Sequence, residues 1–503
     1  MTTRQPYDLI VIGGGINGAG IARDAAGRGL SVLLCEADDF ASHTSSASTK
    51  LIHGGLRYLE QYEFKLVAKA LREREVLLYT APHIIRPMRF VMPHQKHLRP
   101  AWMIRCGLFL YDHLGGRQSL AGSRGVSLGR HAAGAPLKAE FSKGFVYSDA
   151  TVQDARLVVL NCMDAAERGA DIRRSTRCES ARRDGDGWNV ALRSADGIAR
   201  SVHGRALVNA TGPWAARFLD DVAAVEHNTD LRLIKGSHIV VPRLFDHGDA
   251  YIFQQPDGRI VFAIPYERDF TLIGTTDIEY DGALDAVAIT DAETEYLCTA
   301  MNRYFKRGIT PADVVWTYAG VRPLLDDHED SASEITRDYR LHMDTAGAPL
   351  LSVFGGKVTT FRRLAEDAVN QLAPRLNNSA KAWTRRGPPL PGGDEAHPRR
   401  LVEALRQSHP FMPAAMVERL VFSYGTRVHT IVNGADRLAA LGHRFGADLY
   451  QAEVDYLVEN EWACCAQDIL WRRSKLGLYM ADAEISDLDR YLEQYPATNA
   501  QGG

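Results

Sequence analysis

The chain has 503 residues, 45% of them apolar and 24% charged, and a formal net charge of −3. That length exceeds one ordinary core, so two or three domains are expected, and a charge so close to zero gives no electrostatic case for nucleic acid as a partner. Seven cysteines without a C-x-x-C spacing argue against a disulfide scaffold and fit a reducing compartment; the adjacent Cys464 and Cys465 read as incidental thiols rather than a redox pair.

Met-Thr-Thr-Arg-Gln-Pro runs straight into the first strand with no cleavable apolar segment, and no window approaches the roughly eighteen uncharged apolar residues of a membrane span. Leu9 to Ile12 reads as a short buried strand that breaks into Gly13-Gly14-Gly15-Ile-Asn17-Gly18 and a helix. Gly13 and Gly15 allow a tight turn and close approach of a pyrophosphate, and Gly18 with Ala22 lets the helix lie near the sheet. The helix N-terminus offers N–H groups to phosphate. Ser31 to Cys35 is the second strand, and Glu36 at its end, followed by Ala37, suits ribose hydroxyls while repelling a 2′-phosphate. The unit therefore binds a dinucleotide, and NADP is disfavoured.

The hydroxyl-rich run Thr44-Ser45-Ser46-Ala47-Ser48-Thr49-Lys50-Leu51-Ile52-His53-Gly54-Gly55 can bond phosphate and ring edges along an extended cofactor, or be a solvated linker. Phe64 to Thr80 reads as a helix with Val67, Ala70, Leu71, Leu77 and Leu78 on one face and Arg74 at the edge of that stripe. Residues 85 to 117 set Arg86, Arg89, Lys96, Arg99, Arg105 and Arg117 among Trp102, Met103, Ile104, Leu108, Phe109, Leu110 and Tyr111. Such a stretch is either a core helix with solvated arginines or an interfacial segment for anionic lipid.

Ala155 to Arg168 is a further helix, and strands near Trp188–Leu192 and Ala206–Ala210 return the chain to the nucleotide sheet, the latter opening into Thr211-Gly212-Pro213-Trp214 near the adenine side. Gly236 to Val241, Tyr251 to Phe253, Arg259 to Ile264 and Phe270 to Gly274 form an antiparallel set, a candidate substrate platform. Leu350 to Phe354 is another apolar strand ending in Gly355-Gly356-Lys357, with a helix starting near Thr359, whose hydroxyl suits an N-cap, and Thr360 following. Arg386 to Gly393 reads as a linker, and the remainder from about 396 is helix-rich.

The stretches IVIGGGINGAGIARDAAGRGLSVLLCEADD, TSSASTKLIHGGLRYLE, HLRPAWMIRCGLFLYDHLG, VNATGPW, IKGSHIVVP, IGTTDIEY, GVRPL, EITRDY and VFGGKVTTFRRLAE make the chain resemble the aerobic, FAD-dependent glycerol-3-phosphate dehydrogenases of the D-amino-acid-oxidase-like flavoproteins, over about residues 7 to 370. The resemblance implies an α/β fold: a discontinuous Rossmann-like FAD-binding domain (1–80, 145–234, 318–385), an antiparallel-sheet substrate domain (81–144, 235–317) that carries the basic apolar segment, and a C-terminal helical domain (396–503). It implies oxidation of sn-glycerol 3-phosphate to dihydroxyacetone phosphate, by transfer of the C2 hydride to FAD N5, with electrons passed to a membrane quinone. The expected location is cytoplasmic, peripherally attached to the inner face of the cell membrane. A homodimer is an open alternative. The rival chemistries are an oxidase of the same substrate that uses oxygen, and an amine or amino-acid oxidase.

A phosphorylated alcohol beside a flavin requires fixed cations, and Arg322, Arg337 and Lys357 are the candidates, Arg322 also for a developing alkoxide. Hydride loss from carbon needs an acceptor for the hydroxyl proton, for which His53 and His238 are candidates, while Tyr58 and Thr275 can orient hydroxyls. The cofactor is expected on Ile12, Gly13, Gly15, Asn17, Gly18, Glu36, Ala37, Thr44, Ser45, Ser46, Ser48, Lys50, Leu51, His53, Gly54, Gly55, Ala210, Thr211, Gly212, Gly356, Lys357, Thr359 and Thr360. No metal is expected.

Overall fold

The computed structural model describes residues 5–95, 99–116, 119–227, 231–325, 338–384 and 387–495. Strand β1 (Tyr7–Ile12), helix α1 (Ile16–Gly27) and strand β2 (Val32–Cys35) build the first unit, with Leu9, Ile10 and Val11 wholly buried as expected of a central parallel strand. Parallel pairing continues from β1 to Ala199–Asn209 and on to Leu350–Gly355, and from β2 to Asp171–Arg173; Tyr339–Asp344 closes the sheet antiparallel. The crevice outside the carboxyl ends of such strands is where ligands of open α/β sheets bind.

A second, ten-stranded and largely antiparallel sheet contains all four strands expected for the substrate platform, within Leu231–Pro242, Ala250–Gln254, Ile260–Tyr266 and Phe270–Gly274. It also takes Lys143–Val152 and Trp316–Leu325, whose residues from 145 and 318 onward were expected in the nucleotide domain. Trp316–Leu325 pairs along the whole of Leu231–Val240, so it is this sheet that carries Arg322 to the nucleotide crevice.

Helix α2 spans Phe64–Thr80, as its periodicity predicts. Arg74 is not at the edge of its stripe. It is buried and donates to Asp149 Oδ1 at 2.7 Å, a partner 75 positions away that makes a charge tolerable among apolar neighbours. The proline- and glycine-rich run after residue 386 is not a loose linker either: Leu390 is buried, its N–H donates to Thr80 O, and Pro388 O accepts from Arg23. Arg386 itself lies outside the described residues.

The C-terminal domain comprises Pro398–Ser408, Ala414–Tyr424, Val428–Ile431, Gln451–Glu461, Asp468–Ser474 and Asp482–Leu492, with a short hairpin at Arg444–Tyr450, around its own apolar core. It is tied to the nucleotide domain by a buried fork in which Arg156 Nη1 and Nη2 lie 2.9 and 2.8 Å from the two Glu461 oxygens, and by Arg472 and Arg473, both of which donate to Asp39.

Candidate functional site

The glycine turn after β1 has no room for side chains. Gly13 has φ +108°, and a Cβ there would lie 2.5 Å from Ala210 O; one on Gly18 would lie 1.9 Å from Gly13 O. Gly15 precedes α1 with its Cβ position 3.1 Å from Ser45 Oγ, and Ser45 Oγ accepts from Ile16 N–H at the start of α1. Glu36 bends back on the turn, its Oε2 accepting from Gly14 N–H at 2.6 Å and its Oε1 from Asp38 N–H at 2.9 Å. Burial is the largest influence on this carboxyl and holds it above its usual range, against the pull of those two N–H groups.

A cavity of about 550 Å³ runs beside this turn, lined by Ile12, Gly13, Gly15, Glu36, Ala37, Thr44, Ser45, Ala210, Thr211 and Gly212. A second, of about 240 Å³, shares Gly15, Thr44, Ser45, Ala210, Gly212 and Pro213 with it, so the two form one extended cleft. His43 and Trp214, which the sequence reading did not single out for the site, stand in its wall edge to face at 4.8 Å, and the hydrogen bond with Asp38 raises the His43 pKa.

The second cavity collects Asn17, Ser48, Leu51, His53, Tyr58, His238, Thr275, Arg322, Gly356, Lys357 and Thr359 from well separated parts of the chain. Arg322 is held by Thr276 O at 3.0 Å and Asp277 Oδ1 at 2.9 Å. The Lys357 ammonium sits 3.6 Å from the centre of the Tyr58 ring. His238 is buried, stacked on Tyr318 at 4.7 Å, with Nε2 3.0 Å from Thr49 Oγ1. Desolvation, then the charges of Lys50 and Arg322, push its pKa well below the usual histidine value, so the ring is neutral. Two further glycines make this arrangement possible: a Cβ on Gly236 would meet Arg322 Nη2 at 2.2 Å, and one on Gly274 would meet the His238 ring at 2.0 Å. Glycines opposite functional side chains on a strand carry a signal only once strand pairing is known.

Of the residues expected on the cofactor, Gly18, Ser46, Lys50, Gly54, Gly55 and Thr360 line neither cavity. Lys50, in the left-handed region at φ +58°, turns its ammonium onto Asp154, 2.9 Å from both oxygens, and Ser48 Oγ donates to the same carboxylate although Ser48 itself lines the cavity. Ser46 Oγ donates to His43 O. Gly54 and Gly55 have no room for a side chain, since their Cβ positions fall on Leu71 with Tyr111 and on the Tyr58 ring. Thr359 is no N-cap: its hydroxyl accepts from His53 N–H at 3.2 Å, and Thr360, the residue before helix Phe361–Leu372, is buried with its hydroxyl toward Lys357 O. Arg337 lies outside the described residues.

The cleft fits a flavin dinucleotide on an observation independent of ancestry: Asn17 Oδ1, an acceptor buried in the cleft wall without a hydrogen-bond partner, is open to a donor such as a ribityl hydroxyl, and Gly13 and Gly15 line the adjoining cavity.

Helix α3 (Ala101–Leu114) buries Leu108 and Tyr111 and leaves Trp102 66% and Phe109 55% exposed, with Met103 and Leu110 also exposed. Arg86 and Arg89 are on strand Ile85–His94 rather than with the helix; Arg99 pairs with Glu60 at 3.3 Å, and Arg105 donates to Ser123 Oγ. Lys96 and Arg117 lie outside the described residues. No helix among the described residues is long and apolar enough to cross a membrane.

With the fold and cleft in view, the class is defined: the family model "FAD dependent oxidoreductase" matches residues 8–362, and the chain belongs to that family, with FAD as its cofactor. Residues 384–494 match "C-terminal domain of alpha-glycerophosphate oxidase". The chain is 54% identical to the glycerol-3-phosphate dehydrogenase of Pseudomonas aeruginosa, over 97% of this chain and 95% of that one. It is 51% identical to the D-erythritol 1-phosphate dehydrogenase of Brucella abortus, over 96% and 97%. Among solved structures it resembles the glycerol-3-phosphate dehydrogenase of Bacillus halodurans complexed with FAD, with a TM-score of 0.77, 29% identity, and coverage of 98% of this chain and 89% of that one.

Proposed function

We propose that the protein oxidises the secondary alcohol of sn-glycerol 3-phosphate to dihydroxyacetone phosphate and delivers the electrons to a membrane quinone. The observation that carries this reading is the second cavity, where two cations and two histidines converge at one end of a dinucleotide cleft. Bound FAD supplies the hydride acceptor at N5. Arg322 and Lys357 take the phosphate dianion, with Arg337 as a third cation, and Tyr58 and Thr275 orient the hydroxyls. His238, its ring fixed by Tyr318 and Thr49, is one acceptor for the hydroxyl proton, although the burial and the Lys50 and Arg322 charges that keep it neutral also weaken it as a base. His53 is the alternative acceptor from the same wall.

Quinone lives in the bilayer, and the exposed apolar face of α3 supports contact with a lipid surface. A helix that fully buries only Leu108 and Tyr111, with Ile104 and Leu114 partly packed, and leaves Trp102, Met103, Phe109 and Leu110 exposed favours the interfacial reading of this segment.

The identity of the alcohol is tested by adding substrate to the anaerobic yellow protein. Glycerol 3-phosphate should bleach the flavin, and turnover should then need an added quinone analogue and no oxygen. Bleaching by erythritol 1-phosphate with higher kcat/KM would reassign the substrate to the longer polyol ester, a reading that the Brucella relative favours. Turnover that requires oxygen would make the protein an oxidase. Bleaching by glycine or sarcosine but by neither ester would make it an amine oxidase.

A further inference from the structure

The seam between the C-terminal domain and the nucleotide domain holds a group of side chains that the reaction does not use. Asp39, three residues beyond Glu36, accepts from Arg472 and Arg473, and Arg472 also donates to Asp468. The helical segment that contains Asp468 begins just after Cys464 and Cys465. Cys464 is exposed and Cys465 half-buried, and the Cys464 N–H donates to Asp468 Oδ2 at 2.9 Å. Arg174, from the far side of the seam, brings Nη2 to 3.4 Å from that oxygen. Both sulfurs and the Asp468 carboxylate lie within 4.8 Å of one another.

Three ligand atoms so close resemble a site for a soft cation, but Asp468 is already engaged by Arg472, Arg174 and a backbone N–H, and a guanidinium beside sulfur opposes a second positive charge. The same guanidinium, with the start of a helix behind it, favours a thiolate. The interaction with Cys465, opposed by burial and aided by Arg174, holds the Cys464 thiol below its ordinary range, while the same interaction and burial push Cys465 above it. Cys464 is also the more exposed of the two, so it is the one placed to attack, with the half-buried Cys465 adjacent to it.

We propose that Cys464 and Cys465 are a hydroperoxide-reactive dithiol that closes to a vicinal disulfide. The Cys464 thiolate attacks one peroxide oxygen, the O–O bond breaks, and the second oxygen leaves as hydroxide and is protonated to water. The resulting sulfenic acid on Cys464 is then attacked by the Cys465 sulfur. The S–S bond forms as the S–OH bond breaks, and the Cys465 proton leaves with that hydroxyl as a second water. The two sulfurs lose two electrons, and the peroxide gains them. Ring closure removes one negative charge near Arg174 at the seam beside the Asp39 loop and leaves it with Asp468.

The test uses the full-length, reduced holoenzyme with one equivalent of hydrogen peroxide, followed by peptide mass analysis. The peptide carrying both cysteines should become lighter by two hydrogens, at least tenfold faster than exposed Cys106 is oxidised. Cys465→Ser should stop at a sulfenic acid on Cys464, trapped by a cyclic 1,3-diketone. Arg174→Gln should slow the first step by about tenfold. Because Arg174→Gln can also disturb the seam, the pH profile of the unmodified protein gives an independent reading, with the midpoint for Cys464 falling below that for Cys106. Equal rates at Cys464 and Cys106, oxidation of Cys464 to a sulfinic acid without a disulfide, or stoichiometric cadmium binding by a pair inert to peroxide would each overturn the proposal.

Discussion

Replacing Arg322 with alanine isolates the charge that the second cavity contributes to a phosphorylated substrate. Its guanidinium is anchored on Thr276 O and Asp277, with the side chain 27% exposed, and Gly236 leaves the space it occupies. Two hydrogen bonds to a dianion at about 1.5–3 kcal/mol each, taken at the low end for a partly solvated cation, come to about 3 kcal/mol. That is roughly a hundredfold in kcat/KM. The loss has a second component, because Asp277, the ion-pair partner of Arg322, would keep its negative charge behind the pocket without that guanidinium between. The pair Arg322→Ala with Asp277→Asn should therefore lose less than Arg322→Ala alone, a non-additivity that simple removal of a substrate contact would not produce. Gly236→Ala should act in the same direction, since its new methyl group falls 2.2 Å from Nη2. The assay is steady-state turnover with a soluble dye as electron acceptor, with the flavin spectrum as the control for occupancy. A kcat/KM within about threefold of the parent at full flavin occupancy would refute the assignment of Arg322.

Other perturbations test other parts of the reasoning. Gly13→Ala puts a methyl group 2.5 Å from Ala210 O at φ +108°, so the purified protein should be largely flavin-free; full occupancy would contradict the turn. Trp102→Ser with Phe109→Ser should weaken sedimentation with anionic vesicles by at least tenfold, as expected when about 1.5–3 kcal/mol of burial per side chain is lost, while dye-linked turnover is spared. Unchanged vesicle binding would remove α3 from the membrane contact. His83 is buried with neither ring nitrogen hydrogen-bonded, and desolvation lowers its pKa to about 3, against an unfolded value near 6.5. The unfolded chain takes up a proton that the folded one refuses, so stability is full above pH 6.5 and falls as the pH drops toward the folded value. Between pH 7 and pH 5 this group should account for about 2 kcal/mol, and urea unfolding of His83→Leu should show a correspondingly flatter pH dependence. An identical slope in the two proteins would contradict the buried neutral ring.

The parts of the fold legible in the sequence were those governed by local periodicity. A strand that breaks into glycines, a helix with one apolar face over Phe64–Thr80, and four alternating strands each carry their evidence within a dozen residues. What the sequence hid was the direction of charges and the partners that decide it. Lys50 stands in the middle of a cofactor-like run, yet a single left-handed backbone angle turns it away to Asp154, 104 positions on. Arg74 looks like a misfit in an apolar stripe until Asp149 is found across the sheet. The prolines and glycines before residue 394 have the composition of a linker, but Leu390 is buried between them and anchors the strap. In each case the deciding interaction spans more sequence than any pattern window.

The same distinction explains why the site could be nominated but not assembled. Arg322, Lys357, His53 and His238 are recognisable one by one, but their meeting depends on Trp316–Leu325 pairing with Leu231–Pro242 and on Gly355 closing the neighbouring sheet. Gly236 and Gly274 acquire meaning only in that register, as the space left for a guanidinium and an imidazole. A residue type states what chemistry is available, whereas strand register states which chemistry is adjacent. The Cys464–Cys465 pair carries the point outside the cleft: two adjacent thiols are unremarkable in sequence, and only the fold brings Arg174 across a domain seam to the Asp468 carboxylate beside them.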